Sequence, residues 1–172
     1  MGNLKFDVFI IFILKKKVTD LEILKNNTDE YCLVLNENLK SIKDIINSDS
    51  IDDGILNLDG GVIIEYNYKP LTDFSFWDDL PTLLSYMLNL VEEFKENGQA
   101  SFYFPSQPMK VELKKEGTKA KFSVHEKSIV VNSDVLIDDI LRNTRKFFEL
   151  LTNELQLSKY QFELDQIESI RK

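Results

Sequence analysis

The sequence has very few residues of the kinds that build nucleophilic or metal-binding sites. Its 172 residues include one cysteine, Cys32, and one histidine, His125. A single cysteine cannot form an internal disulfide, which fits a reducing compartment. Structural zinc takes four ligands, mostly cysteine and histidine, so two such residues argue against a zinc site. Cys32 stands in the apolar stretch EYCLVL, which favours a buried thiol in a strand over a nucleophile.

Motifs for catalysis or cofactor binding are also missing. The sequence contains no G-x-S-x-G elbow and no glycine-rich phosphate loop. The acidic loop DSIDDGILNLDGG fails the calcium-loop pattern, because Ile51 and Gly60 occupy its third and twelfth positions, counted from Asp49. A carboxylate-only site for Ca²⁺ or Mg²⁺ stays open but has no motif. We therefore expect a protein that is not an enzyme and that uses no cofactor.

Long hydrophobic runs are absent too. The uninterrupted apolar run Val8–Leu14 is far shorter than the roughly 20 residues that cross a bilayer. Acidic Asp7 precedes this run and three lysines follow it, which is the reverse of a signal peptide. We expect a buried strand here and a cytoplasmic protein that does not bind membranes. The formal net charge of -8 repels phosphate backbones, so nucleic acid is disfavoured, whereas a basic protein partner, or simply solubility, is favoured.

The pattern of apolar residues predicts a single α+β domain, less regular over residues 1–60 and better patterned over 61–172. We expect a short helix over 37–47, a long amphipathic helix from Asp79 to Gly98, another with Ser133 as its N-cap, and a final helix near the C-terminus. Strands joined by short turns predict an antiparallel sheet, with both long helices packed on one face. The predicted strands are Lys5–Leu14, EYCLVL, GVIIEYNY, the two strands of ASFYFPSQPMKVEL, Lys119–Val124 and the edge strand SIVV.

The stretch TDFSFWDDLP is the strongest candidate for a binding surface. It places aromatic residues beside aspartates just before the first long helix, and aromatic side chains with acidic neighbours suit the docking of a basic partner. A structural interpretation competes, in which the aspartates cap the helix and the aromatic rings line the core edge. The candidate contact residues are Asp73, Phe76, Trp77, Asp78 and Asp79, followed by Asp52 and Asp53 of the acidic loop. The FPSQP segment nearby predicts either a bend between strands or a rigid recognition loop.

From Gly61 onward, the order GVIIEYNY, FWDDLPTLLSYMLNLVEEFKENG, ASFYFPSQPMKVELKKEGTKAKFSV and a closing helix resembles small bacterial immunity proteins of polymorphic and secreted toxin systems. The resemblance covers the last two thirds of the chain and lies in element order and acidity. It implies a stoichiometric inhibitor that sits over the active site or substrate groove of a basic toxin domain. Charge reversal at Asp78 and Asp79 would then slow association, and Trp77→Ala would speed dissociation.

An alternative function is a self-associating structural or adaptor domain. Apolar positions in the last sixteen residues have the spacing of a helix that pairs with a second helix. These positions are Leu157, Tyr160, Leu164 and Ile167. A homodimer through the C-terminal helix therefore stays open at this point.

Overall fold

The computed structural model describes residues 8–35, 45–46 and 48–172. The helix expected over 37–47 lies almost entirely outside these residues, as does the beginning of the strand expected from Lys5. The described elements in the first half of the chain are short, apart from two long strands. Their bounds are β1 Val8–Leu14, α1 Leu21–Asn26, α2 Thr28–Tyr31, β2 Cys32–Val34, a 3-10 turn Ser48–Ser50, β3 Ile51–Asp52, β4 Ile55–Leu56, β5 Asp59–Tyr66, β6 Lys69–Pro70 and β7 Trp77–Asp79.

The second half alternates long helices with a four-stranded meander. Each strand follows the previous one through a short connection, as the sequence predicted for this region. The bounds are α3 Leu80–Asn97, β8 Gln99–Tyr103, β9 Lys110–Glu116, β10 Lys119–Val124, β11 Lys127–Val131, α4 Ser133–Glu149, a π-turn Leu150–Glu154, a 3-10 turn Ser158–Tyr160 and α5 Gln161–Arg171.

All of the strand pairs in the described residues are antiparallel, and they form two main sheets. The first has the order β2-β1-β5-β6, with β7 paired to the opposite end of β5. The second has the order β11-β10-β9-β8, and β3 and β4 form a separate small hairpin. The predicted α+β class with antiparallel strands is confirmed. The strands are divided between two sheets, whereas a single sheet was expected. The sequence shows only a series of short strands and does not indicate which of them pair.

The ends of the long helices follow from local chemistry. Asp79 accepts a hydrogen bond from the Thr82 amide at the start of α3, and Gly98 ends that helix in a left-handed conformation with φ 75°. Both ends were predicted. The expected cap of α4 was wrong by one residue, because the side chain of Asn132, not that of Ser133, accepts from the amides of Asp134 and Val135.

The first sheet is buried on both faces, which explains the uninterrupted apolar run in β1. Ile11 and Ile13 point into a main core shared by both sheets and the three long helices. Phe12 and Leu14 point the other way, into a smaller cluster that Leu24 of α1 covers. The second sheet is buried on one face only, and its outer face is largely exposed. One end of the first sheet, where β7 meets α3, therefore lies between two hydrophobic clusters.

Candidate functional site

The aromatic residues of TDFSFWDDLP do not form one patch. Successive side chains of a strand point to opposite faces, and β7 follows that rule. Trp77 and Phe74 pack on the smaller cluster, whereas Phe76 packs against the main core on the other side of the first sheet. The backbone here runs very close to β5, since a Cβ at Gly61 would lie 2.3 Å from the Phe76 carbonyl oxygen. Both side chains are half-buried, so Phe76 faces the main core and Trp77 faces the smaller cluster, and each keeps part of its surface exposed.

Asp78 is buried and joins two parts of the chain. Only 2% of its surface is exposed. One carboxylate oxygen accepts from the Asp79 amide at 2.7 Å, and the other accepts from the Ser106 amide at 2.8 Å. Ser106 belongs to the FPSQP segment, whose Gln107 side-chain amide also donates to the Trp77 carbonyl. Asp78 thus anchors the connection between β8 and β9 to β7, so it is a structural residue and does not offer its carboxylate to a partner.

The other aspartates of the corner differ in exposure. Asp79 is half-buried and its carboxylate is occupied by Thr82, whose amide and hydroxyl both donate to it. Asp73 is fully exposed and accepts from the amide and hydroxyl of Ser75 within a tight turn. The competing interpretation from the sequence, a helix start closed by an aspartate cap, therefore holds for Asp79.

Asp52 and Asp53 lie apart from this corner, at the tip of the hairpin of β3 and β4. Both are exposed, and Asp53 adopts a left-handed conformation with φ 50°. The Lys159 ammonium donates to the Asp53 carbonyl at 2.6 Å and lies 3.2 Å from its carboxylate. The hairpin is thereby fixed to the segment before α5, and neither aspartate lines the same pocket as Trp77.

A pocket of about 350 Å³ opens beside Trp77. Three parts of the chain build it: the segment that leads into α1, the strand pair β5–β7, and the FPSQP segment. Its lining residues are Val18, Thr19, Asp20, Leu21, Asp59, Trp77, Asp78, Asp79, Ser106 and Gln107. Four of these are aspartates and none is lysine or arginine. The result is a concave surface with an indole wall and an uncompensated negative charge.

Like Asp20, Asp59 gives this pocket an exposed carboxylate. It pairs with Asp79 across the β5–β7 ladder and is exposed at the rim. Partial desolvation, reinforced by the negative charges of Asp79 and Asp78, raises the pKa of Asp59 above its ordinary value. The raised pKa means that a cation placed beside Asp59 would relieve an existing repulsion. In the described part of the chain no ion pair involves Asp20, Asp59 or Asp79.

The indole of Trp77 adds a second unsatisfied group. Its Nε1–H is buried, and no acceptor for it lies within hydrogen-bond distance among the described residues. A buried donor without a partner costs about 1–3 kcal/mol. The corner therefore combines partly desolvated carboxylates, whose repulsion a bound cation can relieve, with a buried donor that the described residues leave unused.

Three contributions to the pocket were not among the residues chosen from the sequence. Asp59 belongs to the acidic loop DSIDDGILNLDGG, which fails the calcium pattern, and the FPSQP segment was predicted to be either a bend between strands or a rigid recognition loop. The bend is confirmed, since the chain leaves the sheet between Tyr103 and Lys110. The segment Val18–Leu21 carried no signal at all. The pairing of β1 and β7 with β5, together with the hydrogen bond from Ser106 to Asp78, brings these parts together.

The described residues contain no group of three or more histidine, cysteine, aspartate or glutamate side chains placed to hold a metal ion. None of the described helices is long and apolar enough to cross a membrane. Comparisons of the chain with protein-family models, with curated proteins and with solved structures give no match.

The apolar positions of the C-terminal segment are used within the protomer. Leu157, Tyr160 and Ile167 are buried in the main core, and Leu164 is half-buried against it. A dimer through these side chains would require α5 to leave the core. The structure therefore offers no support for the self-associating alternative at this surface.

Proposed function

We propose that this chain binds a basic partner protein at the Trp77 pocket and inhibits it, as a bacterial immunity protein inhibits its toxin. The observation that carries the proposal is the pocket itself, in which a half-buried tryptophan stands beside aspartates that have no basic counterpart. The resemblance of residues 61–172 to immunity proteins supports the same function, and the partner would be a toxin domain with a positively charged surface.

The chemistry of the pocket matches that of an interface centre. Tryptophan is enriched among the residues that dominate binding energy, because it buries a large area at little entropic cost. Exposed carboxylates around it raise the association rate of a positively charged partner and reject acidic ones. Exposed Leu21 extends the apolar part of this surface at the pocket rim. A basic side chain of the partner that enters the pocket would meet Asp59 first.

The mutations expected from the sequence need one revision. Asp78 holds the FPSQP segment and Asp79 caps α3, so reversing either charge would damage the fold as well as the interface. Asp59 is the better position for charge reversal, because its carboxylate accepts no hydrogen bond among the contacts of the described residues. Trp77→Ala stays informative for dissociation, provided that unfolding is measured in parallel.

The proposal is tested by capturing the tagged full chain from the cells that produce it and identifying what is retained in equal amount. The captured protein is then expressed alone and together with this chain. We expect a basic protein that arrests growth alone and is neutralised at a 1:1 ratio. Recovery of the chain by itself, or of a partner whose activity the chain leaves unchanged, would refute the proposal.

A further inference from the structure

We propose a second docking surface, distinct from the Trp77 pocket: the open edge of β11 accepts an extended acidic segment of a partner protein as an added strand. Adding a strand to a sheet edge is a common mode of peptide recognition, in which main-chain bonds give affinity and alternate side chains give specificity. Three features of β11 carry this inference: its free backbone groups, the groove beside it and the charge around it.

The backbone of β11 has groups that its own sheet does not use. β11 is the edge strand of the second sheet and pairs only with β10. The two-residue turn between Val124 and Lys127 makes these residues a hydrogen-bonded pair. Bonded and non-bonded pairs alternate in an antiparallel ladder, so Ser128 and Val130 direct their N–H and C=O groups away from β10. Among the backbone bonds outside the ladders of the described residues, none uses these four groups.

A groove of about 470 Å³ runs beside this edge. On one side lie residues 126–129, and on the other lie Lys69, Pro70 and Leu71, at the edge of the first sheet. Proline has no N–H, so Pro70 cannot donate across the groove to β11. The two sheets therefore leave a gap lined by a strand edge, with buried Leu71 and Ile129 in its wall. Val130 lies next to it with 46% of its surface exposed.

The charge around β11 selects an acidic occupant. Residues 110–127 contain six lysines and three glutamates, although the whole chain has a net charge of -8. Lys114 and Lys121 stand directly opposite each other on the exposed face, an arrangement that costs stability because like charges repel. Lys121 is in turn paired with Val130, and Lys69 and Lys127 line the groove. Glutamates or aspartates at alternate positions of an added strand would neutralise these lysines.

Nucleic acid fits this surface less well than an acidic strand. Single-stranded nucleic acid binds where aromatic rings alternate with basic groups. The outer face of the second sheet has one large exposed ring, Tyr103, and it lies on β8 at the opposite edge. The remaining surface of the chain is acidic and repels phosphate. The observations therefore favour a protein segment.

The test uses the ¹⁵N-labelled full chain and a capped eight-residue peptide of alternating valine and glutamate. In the free protein the Ser128 and Val130 amides face solvent and should exchange hydrogen rapidly. At saturating peptide we expect their exchange to slow by at least tenfold, while amides inside the β10–β11 ladder change little. A matched peptide N-methylated at every residue, in which methyl groups crowd both edges, should not dock and so should not protect them.

Two further comparisons decide the basis of binding. A peptide with lysine in place of every glutamate should fail to bind. In the protein, Lys121→Glu should lower the affinity for the glutamate peptide several-fold, whereas Asp59→Lys should leave that affinity unchanged. Absence of protection at millimolar peptide, equal protection by the lysine peptide, or preferential binding of an oligothymidylate to the lysine face would overturn the proposal. A failure to find a partner at the Trp77 pocket would not overturn the β11 proposal, since the two surfaces are separate.

Discussion

Replacing Asp78 provides the sharpest test of the corner between β7 and α3. Its carboxylate accepts from the amides of Asp79 and Ser106, and each hydrogen bond to a charged group is worth about 1.5–3 kcal/mol. Removing the carboxylate also removes the cost of burying it, which offsets part of the loss. We expect Asp78→Ala to lower the free energy of unfolding by about 2–4 kcal/mol. For a chain of this length that corresponds to a fall in Tm of about 5–15 °C.

Urea denaturation followed by circular dichroism measures this effect. The matched control is Asp73→Ala in the same corner, whose exposed carboxylate bonds only to Ser75 and should cost below about 1 kcal/mol. Asp78→Asn should fall between the two, because one carboxamide oxygen can still accept one amide. Faster hydrogen exchange at Ser106 would locate the damage. Equal stability of wild type and Asp78→Ala, or an equal loss in Asp73→Ala, would contradict this account.

Three more results are expected. Tyr160→Phe should cost about 1–3 kcal/mol in urea denaturation, because the Tyr160 hydroxyl accepts from the buried Leu56 amide at 2.9 Å; an unchanged midpoint would refute this. Burial raises the pKa of the Cys32 thiol to about 11, two units above 9.0, so its thiolate fraction at neutral pH should be roughly 100-fold lower than that of an ordinary thiol, and a disulfide reagent should react with it slowly; reaction as fast as that of an exposed thiol would contradict this. Asp59→Asn should stabilise the fold at pH 7 but not in acid. Because the pKa of Asp59 is raised in the folded protein, ionising its carboxyl destabilises the fold as pH rises above 3.8, and asparagine removes that cost. Unfolding curves that show the same effect of the mutation at every pH would contradict this.

Local signals in the sequence were sufficient for the long helices and the meander, whereas the short helices α1 and α2 were not predicted. The apolar positions of α3 repeat every three or four residues between an aspartate cap and Gly98, and all of these determinants lie within the helix itself. The hairpin at Gly117 likewise depends on neighbouring residues, since φ of 63° suits glycine there. Helices and hairpins that depend only on residues close in sequence can be predicted without knowing the tertiary structure.

The pocket could not be predicted in the same way, because its parts are distant in the chain. Val18, Asp59 and Gln107 meet only after β1 and β7 have paired with β5 and the FPSQP segment has bound Asp78. The composition of TDFSFWDDLP made the stretch around Trp77 a candidate site. It could not show that Phe76 and Trp77 pack on opposite sides of the first sheet, since that depends on how the chain enters β7.

The central claim is that carboxylates of the Trp77 pocket steer a basic partner. The most direct measurement is the association rate of the captured partner with Asp59→Lys and with Glu96→Lys, which makes the same change of charge at an exposed position near the end of α3. At low salt we expect Asp59→Lys to slow association on the order of tenfold and Glu96→Lys to have little effect, with the difference shrinking at high salt. Equal rates for the two variants at low salt would show that the partner docks elsewhere.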